Sequence, residues 1–317
     1  MSPRTRPAGL PAPLQNRLSL VTLGDDVGRA WEGADVLAVG VSAASGTPGT
    51  AVPTGATTGP ARTAAGPPVD AAVDPPAGGR PVPDATAGLA AERYGVDLAA
   101  VLVAERVSGR AGEVVRVPVQ APSGLPGRLL LVGTGTHAVH DLRRAGAALA
   151  RVVRGRERVV TSLADGQGPD AVRALVEGLH LGGYAPPATG TKRRADAVPA
   201  RRVELAGRLP AEALAAGTAH ALATARARDL AATPSNVKTP AWLADRAAEY
   251  AADAGLEITV WDESALAADG FGGLLAVGAG SVNPPRLVRL DYQPEAPTQR
   301  RGRVVLAGKG ITYDTGG

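Results

Sequence analysis

What narrows the fold most is a repeated alternation along the chain between short β-branched runs and longer stretches of helical periodicity. RLSLVTL at 17–23, DVLAVGV at 35–41, VVRVPV at 114–119, RLLLV at 128–132 and RVVTS at 158–162 have the length and residue types of strands. The last two are followed by helical patterns, one in HAVHDLRRAGAALARVV and one from Pro169 to about Gly182. Such alternation predicts an α/β domain. At 317 residues the chain exceeds one typical domain, which makes two domains the natural expectation.

Composition marks where the first domain is interrupted and where it ends. Residues 42–86 turn to Ala, Gly, Pro, Thr and Ser with almost no charge and no aromatic, too little apolar surface to offset the entropy of ordering, so they are expected to be a disordered insertion. APPATGTKRRADAVP, Ala185–Pro199, is Pro-rich and basic and reads as the interdomain linker. The first domain is thus expected over 1–185, the linker over 186–199 and the second domain over 200–317. The second is expected to open with a strand at Arg202–Ala206 and a long helix from Ala211 to about Ala231. That helix would pack Leu214, Thr218, Ala221, Leu222, Ala225 and Leu230 on one stripe. Pro234 stops it, and Thr239 before Pro240 caps the next helix. A strand at Leu256–Trp261, a short helix from near Glu263, a strand at Leu287–Tyr292 and a last strand at Val304 complete the expectation.

Charge and residue types exclude several classes. The net charge is +4, but arginines are interspersed with acids over most of the length, which argues for a solvated surface rather than a nucleic-acid site. Without cysteine there is no disulfide and no thiolate metal site, which fits a reducing compartment. No apolar run approaches the ~20 residues of a membrane span and MSPRTRPAGLPAPLQ has no signal-peptide core, so a cytoplasmic location is expected. GTGTHA, between a strand and a helix, lacks the third glycine of a dinucleotide fingerprint and reads as a tight turn. His137 and His140, three apart near the start of this helical pattern, read as ordinary surface histidines rather than a shared metal site.

The stretch VVLAGKGITYDTGG, Val304–Gly317, has different character: an apolar run breaks into a glycine-rich loop bearing one amine, Lys309, and one carboxylate, Asp314. The chain has 34 basic residues and only three are lysines, so position 309 departs from a strong arginine preference. Arginine cannot lose its proton, whereas a lysine amine can do so and then offer a lone pair. A phosphate-binding reading of GKG would need Gly at 303, which is Arg303, and a hydroxyl residue where Gly310 stands.

GKGITYDTGG resembles the first metal-binding motif of the leucyl aminopeptidase (cytosol aminopeptidase) family: GKG, a hydrophobic residue, T, an aromatic, D, a small hydroxyl residue, GG. RDLAATPSNVKTPAWLADRA resembles that family's RDL to TP segment, departing at Ala232 where the family usually has Asn, and FGGLLAVGAGSVNPPRL resembles a further stretch. The turn GAGSVN, taken by itself, reads equally as an anion-binding loop or as a tight turn. The resemblance is strong from about Ala219 to Gly317 and weak before Ala200. It implies a macro-like N-terminal α/β domain followed by the first part of a mixed-sheet α/β di-metal aminopeptidase domain. It also implies that Lys309 and Asp314 ligate, and contact substrate through, two divalent ions, manganese or zinc, in a homohexamer acting on peptides of leucine type. The family's further ligands, catalytic lysine and catalytic arginine come from positions after this loop, so by the resemblance the chain is a fragment with no catalytic residue of its own. The competing reading is a truncated, non-catalytic relative that serves as a binding or regulatory module.

Overall fold

The computed structural model of the chain describes residues 18–24, 30–43, 80–185, 198–293 and 304–312, and these fall into two units, Met1–Ala225 and Arg226–Gly317. In the first unit the elements run β1 (Leu20–Gly24), β2 (Val36–Ser42), β3 (Val82–Pro83), α1 (Ala85–Tyr94) and α2 (Leu98–Ala104). They continue with β4 (Val114–Val117), β5 (Leu129–Gly135), α3 (Val139–Val152), β6 (Arg158–Thr161), α4 (Pro169–Gly183) and β7 (Arg202–Ala206). Among the described residues these seven strands form one sheet in the order β1-β7-β6-β2-β5-β4, with β3 paired to β2. β4 and β3 are antiparallel to their neighbours and the other pairings are parallel, so the sheet is mixed.

The two-residue period of the central strands builds two cores. Ala38, Leu130 and Val132 face α3 and α4, where they meet Leu142, Leu149, Leu175 and Leu179. Their sequence neighbours Leu37, Val39, Leu129 and Leu131 face the other way, onto Trp31, Ala87, Ala90 and Tyr94. Buried on both faces, β2 and β5 are apolar almost throughout, as parallel strands under two helical layers must be. α3 and α4 approach backbone to backbone: a Cβ on Gly178 would lie 2.1 Å from the Arg143 carbonyl oxygen.

Four expectations need correction. β7, expected to open the second domain, lies between β1 and β6 in the first unit's sheet, registering Val203 with Val21 and Val159, and the chain divides after Ala225 rather than near 200. Arg80 to Thr86, expected inside the insertion, are ordered: Val82 pairs with Ser42, and Asp84 caps α1 by accepting from Ala87 N at 2.6 Å. Residues 44–79 and 186–197, the bulk of the expected insertion and linker, lie outside the described residues. α5 (Ala211–Ala232) buries Ala213, Gly217, Ala221 and Ala225 instead of the leucine stripe. Small residues four apart let the helix sit close, and a Cβ on Gly217 would already be 2.7 Å from the Arg173 carbonyl oxygen. The fourth concerns Val304 and is taken up with the site.

The second unit contains α6 (Pro240–Ala254), β8 (Glu257–Trp261), α7 (Glu263–Ala268), α8 (Gly272–Gly278) and β9 (Leu287–Asp291). Thr239 caps α6 as expected, accepting from Trp242 N at 3.2 Å with Pro240 in the first turn, and Gly255 closes it at φ 67°. β8 and β9 pair antiparallel from Glu257–Asp291 to Trp261–Leu287. Trp261 meets Phe271 edge-on at 6.4 Å between ring centroids and donates to Asp269 at 2.8 Å, which fixes the start of α8 against the ribbon.

Candidate functional site

Residues 304–312, which lead into the lysine and carboxylate loop, adopt no regular secondary structure. Val304, Val305 and Leu306 are 87%, 76% and 92% exposed, so the strand expected there is absent. A strand exists by hydrogen-bonding to a neighbour, and no described segment pairs with this one. Lys309 is exposed on this segment, and Asp314 lies outside the described residues.

Three segments far apart in sequence meet beside it. Ser235, Lys238, Thr239 and Pro240 come from the turn before α6, Ser281 and Asn283 from the turn after α8. Ile311 and Thr312, two and three residues past Lys309, complete the wall of a cleft of about 270 Å³. Each side is set locally. Pro234 accepts from Val237 N and Lys238 N at 3.0 and 2.9 Å, which makes the first turn, and Lys238 Nζ donates to the Ala231 carbonyl at 3.2 Å. Ser281 Oγ accepts from Asn283 N at 3.1 Å, and Pro285 fills the space over Gly278, so GAGSVN is a turn braced by its own residues. Lys238, Ser281 and Asn283 were not singled out from sequence as site residues. The signal available was that all three family-like passages of this unit contribute to one cleft.

In the first unit, GTGTHA, Asp84 and Glu177 each hold their polar partners close by. In GTGTHA, Gly135 and His137 have φ of 60° and 62°, Asp141 accepts from Thr136 N and Thr136 Oγ1 at 2.9 Å each, and the His137 ring lies 3.1 Å from Thr134 Oγ1. This is the tight turn read from the sequence. His140 is exposed and lies 3.2 Å from Asp141. Asp84 accepts from Gly40 N at 2.8 Å and Ser162 Oγ at 3.3 Å; burial lifts its carboxyl above the usual range, and these bonds offset only part of that. Glu177 of α4 receives Arg143 of α3 and His220 of α5, both at 2.9 Å. Burial would raise its carboxyl, but these two partners outweigh it and hold it below the usual range. Among the described residues no group of three or more His, Cys, Asp or Glu is placed to hold a metal ion.

Comparison with known proteins then separates the two units. Residues 225–317 match the family model for the cytosol aminopeptidase family, catalytic domain, and residues 78–188 match that for the same family's N-terminal domain. The chain belongs to the cytosol aminopeptidase family. A Rhodococcus jostii protein named "probable cytosol aminopeptidase" is 40% identical over 242 residues, 73% of this chain and 46% of the relative. A protein of the same name from Syntrophotalea carbinolica is 38% identical over 66% of this chain and 45% of its own length. The chain therefore spans about half the length of the curated relatives it matches. Among solved structures, the bottromycin maturation enzyme BotP aligns with TM-score 0.58 and 28% identity over 83% of this chain and 47% of BotP. It has also been solved in complex with Mn. A tomato leucine aminopeptidase mutant aligns with TM-score 0.64 at 18% identity over 90% of this chain and 52% of its own, a likeness of fold. Within this family frame, the catalytic-domain match begins where the structure divides, at Ala225. The N-terminal match omits β1, β2 and β7, although these strands complete that domain's sheet here. No helix of the described residues is long and apolar enough to cross a membrane.

Proposed function

We propose that this chain is part of a metal-dependent aminopeptidase that removes N-terminal residues, leucine-type ones preferentially, from peptides, with Lys309 and Asp314 among its metal ligands. The observation that carries the reading is the GKGITYDTGG loop at the end of a unit that matches the catalytic domain of the cytosol aminopeptidase family. BotP, the structural relative at 28% identity, has been solved with Mn, which supports a divalent metal here. One amine and one carboxylate are N and O donors suited to manganese or zinc, and two donors are fewer than the roughly four to six such ions take, so the loop supplies part of a site. A pair of divalent ions, when bound, activates water and polarises the scissile carbonyl.

The residues of this chain do the holding. Lys309 would ligate through the lone pair of its amine, which a guanidinium does not offer. Its exposure leaves the Nζ free to reach an ion, and the carboxylate of Asp314 would add an anionic oxygen donor whose charge offsets part of the cations' charge. Free peptide N-termini would be bound by the same ions, which restricts cleavage to the first residue. Homohexameric assembly belongs to the same reading.

The test is metal content and release of leucine from leucinamide by the gene product at its natural length. Lys309→Arg keeps the charge but cannot ligate, and it should lower both metal content and rate by at least roughly a hundredfold, more than the loss typical of a residue that only supports a ligand. Asp314→Asn should do at least as much damage. Residues 1–317 alone should bind manganese or zinc weakly and release no leucine. Retention of metal and rate by Lys309→Arg would return the loop to a structural role.

A further inference from the structure

The cleft beside the loop bears on a part of the substrate that the aminopeptidase reading, on which this inference rests, leaves open. We propose that it is a subsite for the C-terminal carboxylate of a short peptide, bound by Lys238 with help from the Ser235 and Ser281 hydroxyls and the Asn283 amide. Among the described residues of the lining Lys238 is the one charged group and none is a carboxylate, so this wall favours an anion. The bond from Lys238 Nζ to the Ala231 carbonyl steadies the side chain, and an ammonium has two further protons to give. At about 270 Å³ the space is small beside ordinary ligand pockets and fits one end of a ligand rather than a whole large one.

Distance along the chain agrees. Ile311 forms part of the wall and is two residues from Lys309, hence at most about 7 Å away along the backbone. An extended peptide advances roughly 3.3–3.6 Å per residue, so a ligand whose amino group is held beside this segment reaches the adjoining cleft within its first few residues. A dipeptide or tripeptide would place its carboxylate there, whereas a long peptide would place a neutral peptide group. The subsite therefore assigns the enzyme to the last steps of peptide breakdown, after endopeptidases have produced short fragments.

The experiment compares Leu-Gly with Leu-Gly amide, which share a scissile bond and differ in the carboxylate, using the gene product at its natural length with manganese supplied. The unaltered enzyme should prefer Leu-Gly in kcat/KM. Lys238→Met should lower the ratio of the two kcat/KM values by roughly tenfold or more, mainly through KM, as expected for loss of a charge-assisted hydrogen bond. Lys238→Arg should restore most of the ratio. Any general loss from the broken bond to Ala231 affects both substrates and cancels. A ratio that Lys238→Met leaves unmoved overturns the subsite while the aminopeptidase reading stands. Hydrolysis of neither substrate by the unaltered enzyme overturns the reading and the subsite with it.

Discussion

The two units of this molecule cover their apolar surface to different degrees. In the first, Leu37, Leu131, Leu142, Leu149 and Leu175 are 1% exposed or less, sealed between a mixed sheet and helices on both its faces. In the second, the large side chain fully buried among the described residues is Leu266, and Ala244 and Ala251 account for the rest of the buried apolar set. Val277, Val282, Val304 and Leu306 are 77%, 95%, 87% and 92% exposed. Uncovered apolar stretches of this kind are surfaces that seek a partner, whether protein or aggregate. The difference teaches that the scaffold is stabilised by its own core, whereas the described residues of the unit bearing the candidate metal ligands bury little apolar surface among themselves.

The contrast can be broken most directly by truncating one leucine in each unit. Leu149→Ala should cost the first unit about 2–5 kcal/mol in urea unfolding, because it opens a cavity between α3 and the sheet. Leu290→Ala on β9, where the side chain is 47% exposed, should cost under about 1 kcal/mol. Equal costs would mean that the second unit is as tightly packed as the first.

Acid should sharpen the same contrast. His180 on α4 is 1% exposed with its ring 3.3 Å from Thr218 Oγ1, and burial pushes it down to about 4, outweighing a hydrogen bond to the Ser19 backbone that favours the charged ring. The unfolded chain takes up this proton from about pH 6.5 downward and the folded chain only near pH 4. This stability is therefore fully present above pH 6.5 and falls as the pH drops from 6.5 to 4. Between pH 7 and pH 5 the first unit should lose about 2 kcal/mol, and His180→Leu should flatten that slope. An unchanged slope in the variant would assign the acid sensitivity to other groups.

The smallest expected effect concerns a glycine of the second unit. At Gly280 a Cβ would meet nothing within 4 Å, so Gly280→Ala should change stability by less than about 0.5 kcal/mol by thermal unfolding. At Gly133 in the first unit the same atom would lie 1.9 Å from the Arg110 carbonyl oxygen. A large loss at Gly280 would show a neighbour pressed against that turn.

Much of this was legible in the residues. The runs at β2, β4, β5, β6, β8 and β9, the helical patterns of α3 and α4, and the Thr239-Pro240 start of α6 are local signals, since periodicity and caps act within a few residues. GKGITYDTGG carried the family resemblance, which the two family matches bear out, because a motif of this kind is a set of residue types at fixed short spacing. Tertiary structure decided the rest. β7 has an ordinary strand pattern, and only pairing with β1, over 180 residues away, places it in the first sheet, since backbone hydrogen bonds do not encode their partner. α5 buries its alanines and Gly217 rather than its leucines because the neighbouring helix lies too close for a larger side chain. Val304 to Leu306 has strand propensity without a partner, and propensity alone does not make a strand. The cleft at Lys238 was decided by the same means, as it exists only where three separate turns converge.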